Sequence, residues 1–197
     1  MKKLYFCVGT NASGKSSLAK HLLRTEPNPQ IIRFEKQKNE VSVLPSQNMI
    51  LMGRYRSDVH CGGCDTISPK ANTLAMFRSI WTREEDIYAE GFLLDSMKWL
   101  REIDEINMSN GNCREIVIVN FNTTLETCFV RLLKRSGKTR DMLKNNGQNV
   151  VNGWNNVVQF IERSKINHPH FRFITLDSEH LPVDILCSQL LGKELPF

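Results

Sequence analysis

A phosphate-binding pattern stands near the start of the 197-residue chain. Residues 9–16 match G-x-x-x-x-G-K-[ST] without a mismatch. In such a loop, glycines let consecutive backbone N–H groups converge on phosphate oxygens, and the following helix adds its positive dipole end. We expect Lys15 to reach the β- and γ-phosphates of a nucleotide and the Ser16 hydroxyl to bind Mg²⁺. The predicted nucleotide-contacting residues are Gly9, Thr10, Asn11, Ala12, Ser13, Gly14, Lys15, Ser16 and Ser17.

An acidic residue near the bound metal would complete this chemistry, and two strand ends could carry it. The apolar run 116–119 is followed by Asn120, which is not an acid, whereas Glu90 follows the short strand-like run 86–89. Open α/β sheets bind their ligands at the carboxyl ends of the strands. Glu90 is therefore predicted to be a metal ligand and a catalytic residue, with a solvated helix N-cap as the alternative.

Positive charge is concentrated in residues 131–144, which hold six basic side chains and one acid and so carry +5, the same as the formal net charge of the whole chain. The six are Arg131, Lys134, Arg135, Lys138, Arg140 and Lys144. This composition predicts a lid at about 134–147 that closes over a triphosphate and supplies cations to the transferring phosphoryl group. The alternative is a basic helix end that is merely solvated.

A second chemically dense loop, residues 53–65, follows the apolar run 49–52 and combines glycine, charge and an aromatic ring. Asp65 or Asp58 could accept the proton of an attacking hydroxyl. Arg54 and Arg56 could hold an acceptor phosphate, and Tyr55 could stack on a base. An ordinary polar turn is the alternative interpretation.

The same loop contains Cys61-Gly62-Gly63-Cys64, which raises the question of a metal or redox site. A structural zinc site needs about four ligands, and the chain has no second C-x-x-C pair. We therefore expect the glycines to shape the loop and the cysteines to pack beneath it. The six cysteines of the chain are scattered, which is typical of a reducing compartment rather than a disulfide scaffold.

Alternating strand and helix patterns must position these loops, and they predict an α/β fold with a largely parallel sheet. Three short strand patterns at 30–35, 41–44 and 48–53 have no helix between them, which allows for an inserted β-hairpin. Ser68-Pro69 suits the start of a helix over about 71–82. Thr123 and Glu126 have the spacing of a capping box. The remaining predicted strands are 3–8, 86–89, 114–121 and 171–176, and the remaining predicted helices are 15–24, 92–108, about 125–136, a stripe from 150 to 161, and 182–191.

Length and composition limit the classes of protein. Hydrophobic residues make up 41% and charged residues 24% of the chain, which suits one folded domain over residues 1–197. No run approaches the roughly 20 apolar residues of a membrane span, so we expect no membrane partner and a cytoplasmic location.

Taken together, the loop at 9–16, Glu90-Gly91, the strand ending at Asn120 and the arginines at 131–140 resemble thymidylate-kinase-like small P-loop kinases. That resemblance implies a three-layer P-loop kinase fold with a central parallel sheet, and ATP and Mg²⁺ as cofactors. It covers most of the chain.

Gly53-Arg54-Tyr55 followed by Gly62-Gly63-Cys64-Asp65 is similar, over this short stretch, to phage-encoded 5-hydroxymethyluracil DNA kinases. The implied reaction is phosphorylation of the base hydroxymethyl group in DNA, a step in thymidine hypermodification of viral DNA and in restriction evasion. The resemblance also implies Asp65 as the catalytic base, Arg131, Arg135 and Arg140 as catalytic cations of the lid, and DNA containing a modified pyrimidine as the partner. Two alternatives stay open: a nucleoside or nucleoside monophosphate kinase that acts on free nucleotides, and an ATP-gated binding module without transfer.

Overall fold

The computed structural model describes residues 1–34, 39–55, 62–91, 94, 96–137 and 145–192. Within these ranges, seven strands are β1 (Lys2–Val8), β2 (Gln30–Arg33), β3 (Glu40–Leu44), β4 (Met49–Met52), β5 (Asp86–Glu90), β6 (Arg114–Asn122) and β7 (Arg172–Asp177). Six α-helices are α1 (Lys15–Thr25), α2 (Asn72–Ile80), α3 (Met97–Ser109), α4 (Leu125–Ser136), α5 (Asn145–Asn167) and α6 (Val183–Leu191).

The strands form one sheet in the order β2-β3-β4-β5-β1-β6-β7. The five strands from β4 to β7 pair in parallel, whereas β2-β3 and β3-β4 are antiparallel. The predicted α/β fold with an inserted hairpin is therefore confirmed. All the parallel strands point their carboxyl ends to one edge of the sheet, and this carboxyl edge carries the phosphate-binding loop.

Helices cover both faces of the sheet and give the predicted three layers. Strand β1 alternates, with Phe6 packing toward α2, α3 and α5, and Cys7 packing toward α1 and α6. A third, smaller cluster joins α4 and the start of α5 to Ala12 of the loop. Because β1 is central and buried on both faces, the loop that follows it starts from a rigid base.

The predicted caps of α2 and α4 and the predicted start of α3 differ from the structure. Helix α2 begins at Asn72, within a residue of the predicted start, but Ser68 does not cap it, because its backbone N–H and carbonyl both bond to the Asn39 side chain. The third helix begins at Met97 rather than at residue 92.

The predicted capping box is the third error. Thr124, not Thr123, caps α4 by accepting a hydrogen bond from the Thr127 N–H. The Thr123 hydroxyl is occupied elsewhere, since it bonds to the Ser13 carbonyl and lies 2.6 Å from the Ser178 hydroxyl. The predicted end of this helix at Gly137 is confirmed, with a left-handed φ of 64° there.

No helix in the described part of the chain has both the length and the apolar character needed to cross a membrane.

Candidate functional site

A cavity of about 560 Å³ lies at the carboxyl edge of the sheet and is bounded by most of the predicted site residues. Its walls are Thr10 to Ser17, Lys20, Asp65, Glu90, Arg131, Arg135, Ser178, Leu181, Val183 and Leu186. Gly9 lies directly before them, at the end of β1. The P-loop, the proposed acid and part of the basic segment thus converge on one space, as the sequence predicted.

The P-loop holds its lysine folded back on the loop itself. Lys15 is 7% exposed, and its Nζ donates to the carbonyl of Gly9 and, at 3.1 Å, to that of Thr10. The Ser13 hydroxyl lies 3.5 Å away. Ala12 adopts φ 66°, a conformation that side-chain-bearing residues rarely take and that clusters at ligand sites. The ammonium group therefore rests on weakly held local carbonyls that phosphate oxygens could replace.

Glu90 completes a pair of oxygen ligands beside this lysine. It is the last residue of β5, in register with Cys7, so it is not the helix N-cap of the alternative interpretation. The Ser16 hydroxyl donates to Glu90 Oε1 at 2.7 Å. Burial raises the pKa of Glu90, Lys15 and the Ser16 hydrogen bond oppose that effect, and Asp65 adds to it. A hydroxyl and a carboxylate are ligands that Mg²⁺ takes, so the two residues fit such an ion.

Asp65 is positioned by tight backbone packing against the end of β5. It lies in a single 3₁₀ turn, Gly63–Thr66, that follows Gly62. A Cβ built on Gly63, at φ +66°, would lie 2.3 Å from the Glu90 carbonyl oxygen and 2.8 Å from Glu90 Oε1. One built on Gly91 would lie 3.0 Å from Asp65 Oδ1. Glycine at position 63 is therefore needed for this close approach of the turn to β5, and the Asp65 carboxylate packs tightly against Gly91.

The other residues of the loop at 53–65 differ in how well their positions match the predictions. Tyr55, expected to stack on a base, is 3% exposed and packs under Gly62, so that expectation is wrong for this conformation. Burial first, and then the Glu90 carboxylate, raise its pKa. Arg54 is half-buried, and its Nε has no hydrogen-bond partner among the described residues. Arg56, Asp58 and Cys61 lie outside the described residues, whereas Cys64 is buried with a raised pKa, as expected of a packing residue.

Arg131, the first residue of the basic segment, is held by hydrogen bonds to the protein and is not merely solvated. Arg131 donates to the carbonyl of Ser178 at 2.6 Å and to that of Ala12 at 3.4 Å, and so joins α4 to the P-loop and to the turn after β7. Arg135 lines the cavity from the exposed end of α4. Arg140 and the rest of 138–144 lie outside the described residues, so the proposed lid remains a prediction.

Sequence reasoning missed the polar contacts that join the P-loop to its surroundings. The Thr10 hydroxyl donates to the Val150 carbonyl on α5 at 3.1 Å, and Trp154 Nε1 donates to the Thr123 carbonyl at 3.2 Å. Thr10 also borders a second cavity of about 230 Å³ on the α5 side, with Asn120, Asn122, Trp154 and Glu162 among its walls. Spacing along the chain carries no signal for these partners.

Comparison with known proteins agrees with this geometry. The family model described as 5-hmdU DNA kinase matches residues 1–188. A 5-hmdU DNA kinase of Bacillus phage SP10 is 27% identical over 138 residues, which is 69% of this chain but 21% of that protein. The 5-hmdU DNA kinase 1 of Salmonella phage ViI is 28% identical over 169 residues, 83% of this chain and 71% of that one.

Among solved structures, a fungal RNA kinase superposes with a TM-score of 0.51 at 11% identity, covering 97% of this chain and 82% of that chain. At such low identity the likeness concerns the fold alone. This chain spans about a fifth of the SP10 protein and nearly three quarters of the ViI protein. Since the family match runs over almost all of the sequence, the chain belongs to the 5-hmdU DNA kinase family.

Proposed function

We propose that this chain transfers the γ-phosphoryl group of ATP to the hydroxymethyl oxygen of 5-hydroxymethyluracil in DNA, in the cytoplasm of a phage-infected host. The observation that carries the proposal is the meeting of Lys15, Ser16, Glu90 and Asp65 in one cavity of a chain from this family. Transfer to free nucleotides and binding without transfer are the alternatives that the experiment below separates.

The P-loop would hold the triphosphate, with Lys15 moving from its carbonyl partners to the β- and γ-phosphate oxygens. Ser16 and Glu90 would hold Mg²⁺, which when bound neutralises charge on the transferring phosphate. Arg131, already tied to the loop, and Arg135 would add positive charge around it, as would Arg140.

The transfer step assigns Asp65 as general base. The hydroxymethyl oxygen attacks the γ-phosphorus, its proton passes to the Asp65 carboxylate, and the bond between the γ-phosphorus and the β,γ-bridging oxygen breaks to release ADP. Geometry supports this role because Asp65 borders the same cavity as Lys15. The position of its carboxylate is set by close packing at Gly91.

DNA would reach this cavity from the side of the loop at 53–66. Arg54, which is half-buried at the start of this loop, would supply a guanidinium for a backbone phosphate, because charge-assisted hydrogen bonds are among the stronger ones. A base in a duplex would have to leave the stack to reach Asp65.

The test is a labelling experiment with γ-³²P-ATP and Mg²⁺, offered DNA containing 5-hydroxymethyluracil, the matching thymidine DNA, or free nucleosides and nucleotides. We expect label in acid-insoluble DNA only when the modified base is present. Label confined to mononucleotides would overturn the DNA assignment, and ATP binding without labelling of any acceptor would favour the binding module.

Asp65→Asn tests the base within the same assay. We expect kcat to fall by about 10²–10⁴-fold while ATP affinity stays unchanged, because general bases contribute on this scale and Asp65 is not assigned to hold ATP. Asp184→Asn, an exposed aspartate on α6, is the matched control. A variant at position 65 with normal turnover would remove Asp65 from the mechanism.

A further inference from the structure

Three side chains with metal-binding atoms meet at the amino edge of the sheet, opposite the P-loop. Asp104 lies on α3, and His168 and His170 lie in the turn between α5 and β7. His168 Nδ1 is 3.1 Å from Asp104 Oδ2, and His170 Nε2 is 3.5 Å from Asp104 Oδ1. One ligand atom from each residue lies within 4.8 Å of the other two.

The chain holds these three groups in place through contacts that need no metal. The His168 ring stacks on Phe171 at 4.8 Å, and the His170 ring meets the same phenyl ring edge-on at 4.5 Å. The His168 backbone N–H donates to the Ser164 carbonyl at 2.8 Å. Asp104 is 8% exposed. Phe171 thus acts as a platform that turns both imidazoles toward one carboxylate.

We propose that Asp104, His168 and His170 form a site for a divalent transition-metal ion of the zinc class. In a tetrahedral site with zinc–nitrogen distances near 2.05 Å, neighbouring ligand atoms are about 3.4 Å apart. The His168 and His170 nitrogens lie 3.1 and 3.5 Å from Oδ2 and Oδ1 of the same Asp104 carboxylate, so a small side-chain adjustment would let one oxygen face both rings. The His170 side chain is 61% exposed and can close the third gap, which leaves the fourth position open to water. Two imidazoles and one carboxylate select zinc, cobalt or nickel over Mg²⁺ and Ca²⁺, which take mainly oxygen ligands.

The site is separate from the kinase cavity, which none of its three residues lines. A bound ion would clip α3 to the turn that joins α5 to β7, two segments that are otherwise linked through the His168–Asp104 hydrogen bond and apolar packing. Its effect is therefore on stability, and the readouts below do not depend on phosphoryl transfer.

The experiment titrates the untagged full-length chain with Co²⁺ and follows visible d–d absorption, with Zn²⁺ as competitor. We expect saturation at one ion per chain, displacement by Zn²⁺, and no displacement by Mg²⁺. In thermal unfolding, Zn²⁺ at about a hundredfold excess over its Kd should raise Tm by roughly 5–10 °C. Absence of a saturable Co²⁺ band would overturn the proposal.

His170→Ala is the main variant, because the exposed ring contributes little to the metal-free fold. We expect Co²⁺ affinity to fall by at least about tenfold with the metal-free Tm unchanged. The control is His180→Ala, since His180 forms a comparable pair with Asp177, 3.0 Å apart, without a third ligand among the described residues. Asp104→Asn keeps an acceptor for His168 and should also weaken Co²⁺ binding. A Co²⁺ band that survives unchanged in His170→Ala would place the ion elsewhere and refute the site.

Discussion

Two buried cations, one at each edge of the sheet, make the same kind of hydrogen bond but differ in which parts of the chain they join. Lys15 at the carboxyl edge and Arg114 at the amino edge are 7% and 2% exposed, and both donate to neutral backbone carbonyls. The Arg114 guanidinium bonds to the carbonyls of Lys3, Trp81, Arg83 and Glu85.

The two cations differ in how far along the sequence their carbonyl partners lie. Those around Arg114 come from positions 29 to 111 residues away, so the guanidinium joins β1, β6 and the turn after α2. Those around Lys15 lie five and six residues away, in its own loop. Long-range bonds stabilise the assembly, whereas local bonds can be exchanged for a ligand at little cost to the fold. The comparison supports a structural role for Arg114 and is consistent with the catalytic role proposed for Lys15.

The largest expected effect concerns Lys15, the cation that is proposed to act in catalysis. Lys15→Ala should lower kcat by about 10³-fold, because it removes a cation from the transferring phosphate, and should leave Tm almost unchanged. Steady-state kinetics and thermal unfolding measure the two quantities. Lys98→Ala, an exposed position on α3, is the control for loss of a lysine. Turnover close to normal in Lys15→Ala would contradict the P-loop assignment.

The structural role of Arg114 is tested by the substitution Arg114→Met. Four carbonyls would lose a donor, so the free energy of unfolding should drop by about 3 kcal/mol or more in urea titrations. Arg101→Met on the exposed face of α3 should change it by less than about 0.5 kcal/mol. If the two variants were equally stable, the bridging role of Arg114 would be refuted.

Two glycines with similar backbone conformations, Gly63 and Gly111, show how much the packing beside Glu90 contributes to stability. Gly63 and Gly111 have nearly the same φ, +66° and +69°, but a Cβ at Gly111 would meet nothing within 4 Å. Gly111→Ala should therefore cost about 1 kcal/mol of unfolding free energy, the backbone term alone. Gly63→Ala should cost about 2–4 kcal/mol and reduce transfer, because its Cβ would displace Glu90. Equal costs in the two variants would show that the contact with Glu90 is readily relieved.

The smallest effect concerns Glu90, where function and stability should oppose each other. Since burial raises its pKa, the native state keeps the Glu90 proton to a higher pH than the unfolded chain does, and stability is lost as pH rises from the ordinary value of 4.5 through the raised one. Glu90→Gln should match the wild type near pH 4 and be more stable by about 0.5–2 kcal/mol at neutral pH.

The same Glu90→Gln variant should lose transfer activity, because an amide is a poor ligand for Mg²⁺ compared with a carboxylate. Glu162→Gln, an exposed position on α5, should change neither the stability profile nor turnover. A wild-type chain that is more stable than Glu90→Gln at neutral pH would mean that the electrostatic attraction of Lys15 and the Ser16 hydrogen bond outweigh the cost of burying the Glu90 charge.

Local patterns were sufficient for most of the fold and for the centre of the site. The buried run of β6, the hairpin at 30–52 and the P-loop are each encoded in a few consecutive residues, and the structure confirms them. The pairing of Ser16 with Glu90 followed from the rule that parallel strands end at one edge.

The errors arose where a partner distant in sequence decides a residue's role. Asn39 holds Ser68 out of a helix, and Ser13 and Ser178 take the hydroxyl that was expected to cap α4. The Tyr55 side chain is of a type that can stack on a base, but it lies beneath Gly62 in the core. Neither composition nor spacing distinguishes an aromatic ring over a loop from one under it.

The hydrogen bond from Trp154 to Thr123 gives the protein a natural optical reporter. Thr123 in turn bonds to Ser13, so the indole is two hydrogen bonds away from the P-loop backbone. Trp154 is 37% exposed, whereas Trp81 is fully buried at the other edge beside Arg114. In a variant whose Trp81 and Trp99 are replaced by Phe, a change in the emission of Trp154 on addition of ATP would therefore follow filling of the loop, without a label and separately from phosphoryl transfer.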